Sequence, residues 1–243
     1  GASVDSAILA ALNAHTFSAL DAMGKWQAMS KGQKQLVFLW YTLHPDDTYL
    51  SFCVGMSKDI DDLPTQILTA VFPVRISHPD WVAESQAYIA ALSIDKTDAY
   101  FAQLDGMSSY EERLDYLTDR TARERIYILH LVGQWMRTDI DTVLQSQKLK
   151  DTYPVLAAYL SDAYPDESLK LYFGKYKTYK LSNTLPIDED TYFSGMDADA
   201  YEYRYPVLSE EIVDGGTFIL WIDALGAEWL PLLKWALETS GEG

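Results

Sequence analysis

The residue best placed for chemistry is Asp223, within FILWIDALGAEW at residues 218–229. Apolar residues 218–222 run directly into this one acid, and a small-residue turn then opens a helix-like stretch. A short, continuously apolar run fits a strand buried on both faces, as in parallel α/β sheets. Open α/β sheets place their ligands at the carboxyl ends of such strands, so Asp223 is a candidate metal ligand. It cannot act alone, because zinc takes about three protein ligands even in an open catalytic site.

A second group is cationic. Within residues 167–183, Lys170, Lys175, Lys177 and Lys180 arrive with no acid after Glu167. Leu169, Tyr172, Phe173 and Tyr176 make one apolar face of the same stretch. The pattern predicts a core-facing helix with a lysine-rich solvent side, and the four lysines are a candidate docking face for a partner.

Other groups offer less. Asp188/Asp190 and Asp197/Asp199 lack the Gly and the terminal Glu of an EF-hand calcium loop. None of His15, His44, His78 and His130 falls in a catalytic or metal motif. His130 lies inside the apolar run 126–132 and reads as a core histidine with its hydrogen bonds satisfied. Cys53 is the single cysteine. It can form neither an internal disulfide nor a structural zinc site, which fits a reducing compartment.

The elements that would position these groups are mostly helices. Ser30 and Gln33 have capping-box spacing ahead of residues 35–43, which Pro45 ends. Ser108 with Glu111, and Thr121 with Glu124, repeat the spacing before residues 113–117 and 126–136. Pro79 at a first turn precedes Trp81, Tyr88, Ile89 and Leu92 at helical spacing. Residues 1–183 therefore read as one compact helical domain centred on 126–132, a multi-helix bundle or irregular helical array. Residues 184–216 form an acidic, aromatic-containing connection, with nine acids against one base. Residues 217–243 read as a βα unit, with Pro231 in the first turn of its helix and Glu228 as a solvated charge. The fold class is thus mainly α with a C-terminal βα unit.

Composition limits the function. Of 243 residues, 48% are hydrophobic and 13% aromatic, enough for a sizeable core. The formal charge of −17 repels phosphate backbones, so direct nucleic-acid binding is not expected. No apolar run approaches the ~20 residues of a membrane span, and the start resembles no signal peptide. A cytoplasmic protein without membrane contact is the expectation.

The string GGTFILWIDALGAEWLPLL, residues 215–233, resembles the opening of the PglZ domain. This is a branch of the alkaline-phosphatase-like superfamily found in BREX-type phage-defence loci. Residues 172–183, YFGKYKTYKLSN, are similar to the helical segment preceding that strand. The resemblance covers 172–183 and 215–235, and implies that Asp223 is a ligand in a two-metal hydrolytic site holding zinc or manganese. The family's nucleophile and later His/Asp ligands would lie beyond Gly243, so no catalytic residue is assigned within the chain. The chain is then expected to be the truncated helical part of a metal-dependent phosphatase or nuclease, inert alone and binding no metal cofactor. Its partners would be its own C-terminal domain, other phage-defence proteins, and a second copy through residues 217–238. The alternative is a non-catalytic helical scaffold whose last βα unit merely resembles a phosphatase strand.

Overall fold

The computed structural model of the chain describes residues 3–184 and 225–241. These residues are mainly helical, with no strand among them. The expected strand at 217–222, Asp223 and all of the acidic connection 184–216 except its first residue lie outside the described residues. The chain divides into two compact units, residues 1–125 and 126–243. The division falls at residue 126, the start of the run expected to be the centre of a helical unit over 1–183.

The first unit contains α1 (Val4–Ala11), α2 (Ala19–Lys25), a 3₁₀ turn (Trp26–Ala28), α3 (Lys31–Leu43), α4 (Tyr49–Met56) and α5 (Leu63–Thr69). It continues with α6 (Val71–Val74), α7 (Asp80–Leu92), α8 (Asp98–Asp105), α9 (Tyr110–Leu114) and the start of α10 (Ala122–Thr138). Local chemistry sets many of the starts. Ser30 and Gln33 close a reciprocal capping box, with the Gln33 N–H donating to Ser30 Oγ at 3.3 Å and the Ser30 N–H to Gln33 Oε1 at 3.0 Å. Ser109, not Ser108, caps α9 by accepting from the Glu112 N–H at 3.2 Å, so that helix is framed one residue later than its spacing suggested. α7 packs against α2, α4, α5 and α6. Its inner face is Trp81, Ser85, Tyr88, Ile89 and Leu92, the predicted stripe with a serine added. Cys53, Leu63, Ile67 and Val71 are fully enclosed beside it. Each such side chain contributes about 1.5–3 kcal/mol of burial.

The second unit holds the rest of α10, then α11 (Ile140–Gln145), α12 (Gln147–Thr152), α13 (Pro154–Leu160) and α14 (Glu167–Ser182). After the undescribed stretch come a 3₁₀ turn (Ala227–Trp229) and α15 (Leu230–Ser240), with Pro231 in its first turn as expected. α13 packs against α12 and α15. Within α10, Ile128, Leu131, Val132, Trp135 and Met136 are buried, one stripe at i, i+3, i+4, i+7 and i+8. Ile126, Leu129 and His130 are exposed, so the run 126–132 is one-sided and His130 is not a core histidine. A Cβ on Gly133 would lie 2.5 Å from the Ser182 nitrogen. Only glycine permits α10 to approach the end of α14 so closely.

Candidate functional site

Of the residues singled out from sequence, α14 brings together the lysines. Asp166 starts the helix, its carboxylate accepting from the Leu169 N–H at 2.9 Å, and Asn183 ends it in the left-handed region at φ 51°. The four lysines do not share one solvent face. Lys177 is only 1% exposed, which corrects its placement on the solvent side. Its ammonium donates to the Tyr159 carbonyl and lies 4.8 and 4.9 Å from the ring centres of Tyr159 and Tyr164. No carboxylate pairs with it among the described residues. Burial pulls its pKa down from 10.5 to about 8, against the weaker opposing charges of Glu228 and Asp162.

Lys180 sits over Tyr176, Trp229 and Tyr159, at 5.4, 5.5 and 6.0 Å from their ring centres. It also donates to Glu228 Oε1 at 2.7 Å. Burial alone would lower its pKa, but the Glu228 hydrogen bond and charge hold it above the ordinary lysine value. Glu228, whose side chain is 14% exposed, is therefore an ion-pair partner and not a solvated charge. Tyr164 Oη donates to the Glu228 carbonyl at 3.1 Å, and Trp229 packs on Tyr159 with ring centres 4.7 Å apart. Lys170 reaches Asp162 at 3.0 Å near the other end of the helix, raising its pKa. Lys175 is also engaged by the chain.

This cluster is a clamp. Two cations and five aromatic rings (Tyr159, Tyr164, Phe173, Tyr176 and Trp229) fix the 3₁₀ turn before α15 onto α13 and α14. Tyr159 is nearly buried, and its hydroxyl has no hydrogen-bond partner among the described residues, although Lys180 lies close enough to act on it. The clamp supplies cation–π and ion-pair binding energy and no nucleophile–base pair. Nowhere among the described residues do three His, Cys, Asp or Glu side chains gather as metal ligands would. Asp223, five residues before Glu228, lies outside the described residues.

The first unit contains a polar cluster that sequence spacing missed. Lys96 Nζ donates to Glu124 Oε1 at 2.5 Å, to the Tyr116 carbonyl at 2.5 Å and to Gln86 Oε1 at 3.1 Å. All three ammonium protons are used. The Thr118 N–H also donates to Glu124 Oε1, at 3.0 Å. Burial would raise the Glu124 carboxyl, but the hydrogen bond and charge of Lys96 outweigh it and hold it below the ordinary range. The Thr121–Glu124 spacing is half a capping box: Thr121 Oγ1 accepts from the Glu124 N–H at 3.1 Å, while the glutamate side chain turns to Lys96. A cleft of about 220 Å³ opens beside this pair, with Arg120 and Asp95 on its lining.

No protein-family model matches the chain, and comparisons with curated proteins and with solved structures find no match. No helix among the described residues is long and apolar enough to cross a membrane.

Proposed function

We propose that this chain is the helical, positioning region of a PglZ-like metal-dependent hydrolase of phosphatase or nuclease type, working in phage defence. One observation carries the reading. The two stretches that resemble the family, 172–183 and 215–235, meet in space through the Lys180–Glu228 pair at 2.7 Å. That contact supports a role for α14 as the support on which the first βα unit of a catalytic domain begins. Asp223 is then one ligand of a two-metal site for zinc or manganese, completed by residues beyond Gly243 in a longer parent protein. Bound there, the metals would activate a nucleophile and clamp phosphoryl oxygens.

The test uses that parent protein. Asp223→Asn keeps the side-chain shape and removes the charge a dication requires, so metal-dependent hydrolysis of a phosphomonoester should largely disappear. The circular dichroism of the helices should not change. Full activity in the variant would remove Asp223 from the site and overturn the reading.

A further inference from the structure

We infer that the groove between α13 and α15 is a docking site for an acidic, apolar-anchored peptide segment of a partner protein. The groove has a volume of about 400 Å³, with Pro154, Ala157, Ala158, Pro231 and Trp235 among its lining. Small residues on α13 face one large aromatic on α15, leaving an apolar slot where a side chain can enter.

Charge identifies the occupant. Lys150 and Lys234 also line the groove. The lysines of α14 are held by the chain itself: Lys170 by Asp162, Lys180 by Glu228 and Lys177 by the Tyr159 carbonyl. Lys150 and Lys234 have no ion-pair or hydrogen-bond partner among the described residues. Among the described residues these two charges face no carboxylate partner, which suits them to carboxylates on a ligand. Glu238 is the one acid on the lining, so the ligand's carboxylates belong at the two lysines and its apolar residue against Trp235. A chain of net charge −17 does not steer an acidic ligand from a distance. Binding must come from short-range ion pairs over an apolar anchor, the arrangement that places binding energy at the centre of interfaces. A slot running along two short helices suits an extended or helical segment better than a small molecule, which binds where most of its surface can be enclosed. The inference does not depend on the parent being a hydrolase.

The test uses the full chain and a fluorescein-labelled peptide repeating Glu-Leu-Phe-Glu, followed by fluorescence anisotropy. Saturable binding that weakens with salt is expected. Lys150→Glu combined with Lys234→Glu should weaken it at least about tenfold, and Ala157→Trp, which fills the slot, should abolish it. A peptide with Lys in place of Glu should not bind. Absence of binding, equal binding of the Lys peptide, or unchanged affinity in the double lysine variant would each overturn the proposal. So would a dimer in sedimentation that Ala157→Trp dissociates, since the occupant would then be a second copy. If circular dichroism shows Ala157→Trp unfolded, the surface lysine variant decides by itself.

Discussion

Lys96 in the first unit and Lys177 in the second are both almost fully enclosed, at 5% and 1% exposure, and they meet the cost of burial in different ways. Lys96 has a carboxylate, an amide oxygen and a backbone carbonyl, one acceptor for each ammonium proton. Lys177 has one carbonyl and two aromatic faces. The first arrangement makes each charge dependent on the other: burial still lowers the Lys96 pKa, and the hydrogen bond and charge of Glu124 oppose that fall. The second leaves a cation under-compensated, so the protein resists protonating it. Burial of a charge therefore says little about stability until its partners are counted.

The largest effect should come from breaking the complete pair. Glu124→Ala strands Lys96 inside the first unit and should cost about 3–5 kcal/mol of its stability, measured by native-state hydrogen exchange of α7 and α8. Lys96→Met combined with Glu124→Leu should recover most of the loss. If Glu124→Ala alone costs under about 1 kcal/mol, the pair is not coupled as described. The pH dependence carries a sign. Because Glu124 is held below its ordinary value, its contribution is present above that value and fades as pH falls through the folded-state pKa.

Lys177→Met should do the reverse and stabilise the second unit. The fall in pKa from 10.5 to about 8 corresponds to up to roughly 3 kcal/mol of penalty on the charged form. Below about pH 8 the folded unit bears the whole penalty; between about 8 and 10.5 the unfolded chain binds the extra proton, so stability rises with pH. The opening free energy of α14, taken from exchange rates corrected for the base-catalysed rise of intrinsic exchange, should increase over that range in the native protein and stay flat in Lys177→Met. A flat native profile would show that Lys177 is solvated.

Gly133→Ala should displace the helix that carries Lys177. Its methyl would strike the Ser182 backbone, and overpacking of this kind costs about 1–3 kcal/mol. The Lys177 pKa should rise as water gains access, visible by NMR titration of its side chain. The smallest effect belongs to Glu228→Gln. Lys180 is 42% exposed in its side chain, and pairs of this kind contribute about 1 kcal/mol or less. A larger loss would make the ion pair, and not the aromatic stack of Trp229 on Tyr159, the main fastening of the clamp.

Signals carried by neighbouring residues were legible in the sequence. The capping box at Ser30, the start of α7 behind Pro79 and the extent of α14 all depend on groups within one or two turns. What depended on distant partners was not. Glu124 has capping spacing, yet its carboxylate finds a lysine 28 residues upstream. His130 sat in an apolar run, but α10 buries only one stripe and leaves it outside. For the lysines a local clue existed: Lys180 is four residues past Tyr176 and seven past Phe173, which places it on the aromatic side of the helix. Glu228 could be understood only once α14 was known to lie beside it.

The contact at Gly133 also has a genealogical consequence. Surface charges and loop lengths can drift without limit in descendants of this chain, but a helix crossing with no room for one carbon atom cannot drift. Distant kin that keep the crossing should retain a glycine with bulky apolar residues one, two and five places before it and two and three places after it, as Val132, Leu131, Ile128, Trp135 and Met136 stand here. That short signature, written by steric exclusion, would outlast overall sequence likeness as a mark of common descent.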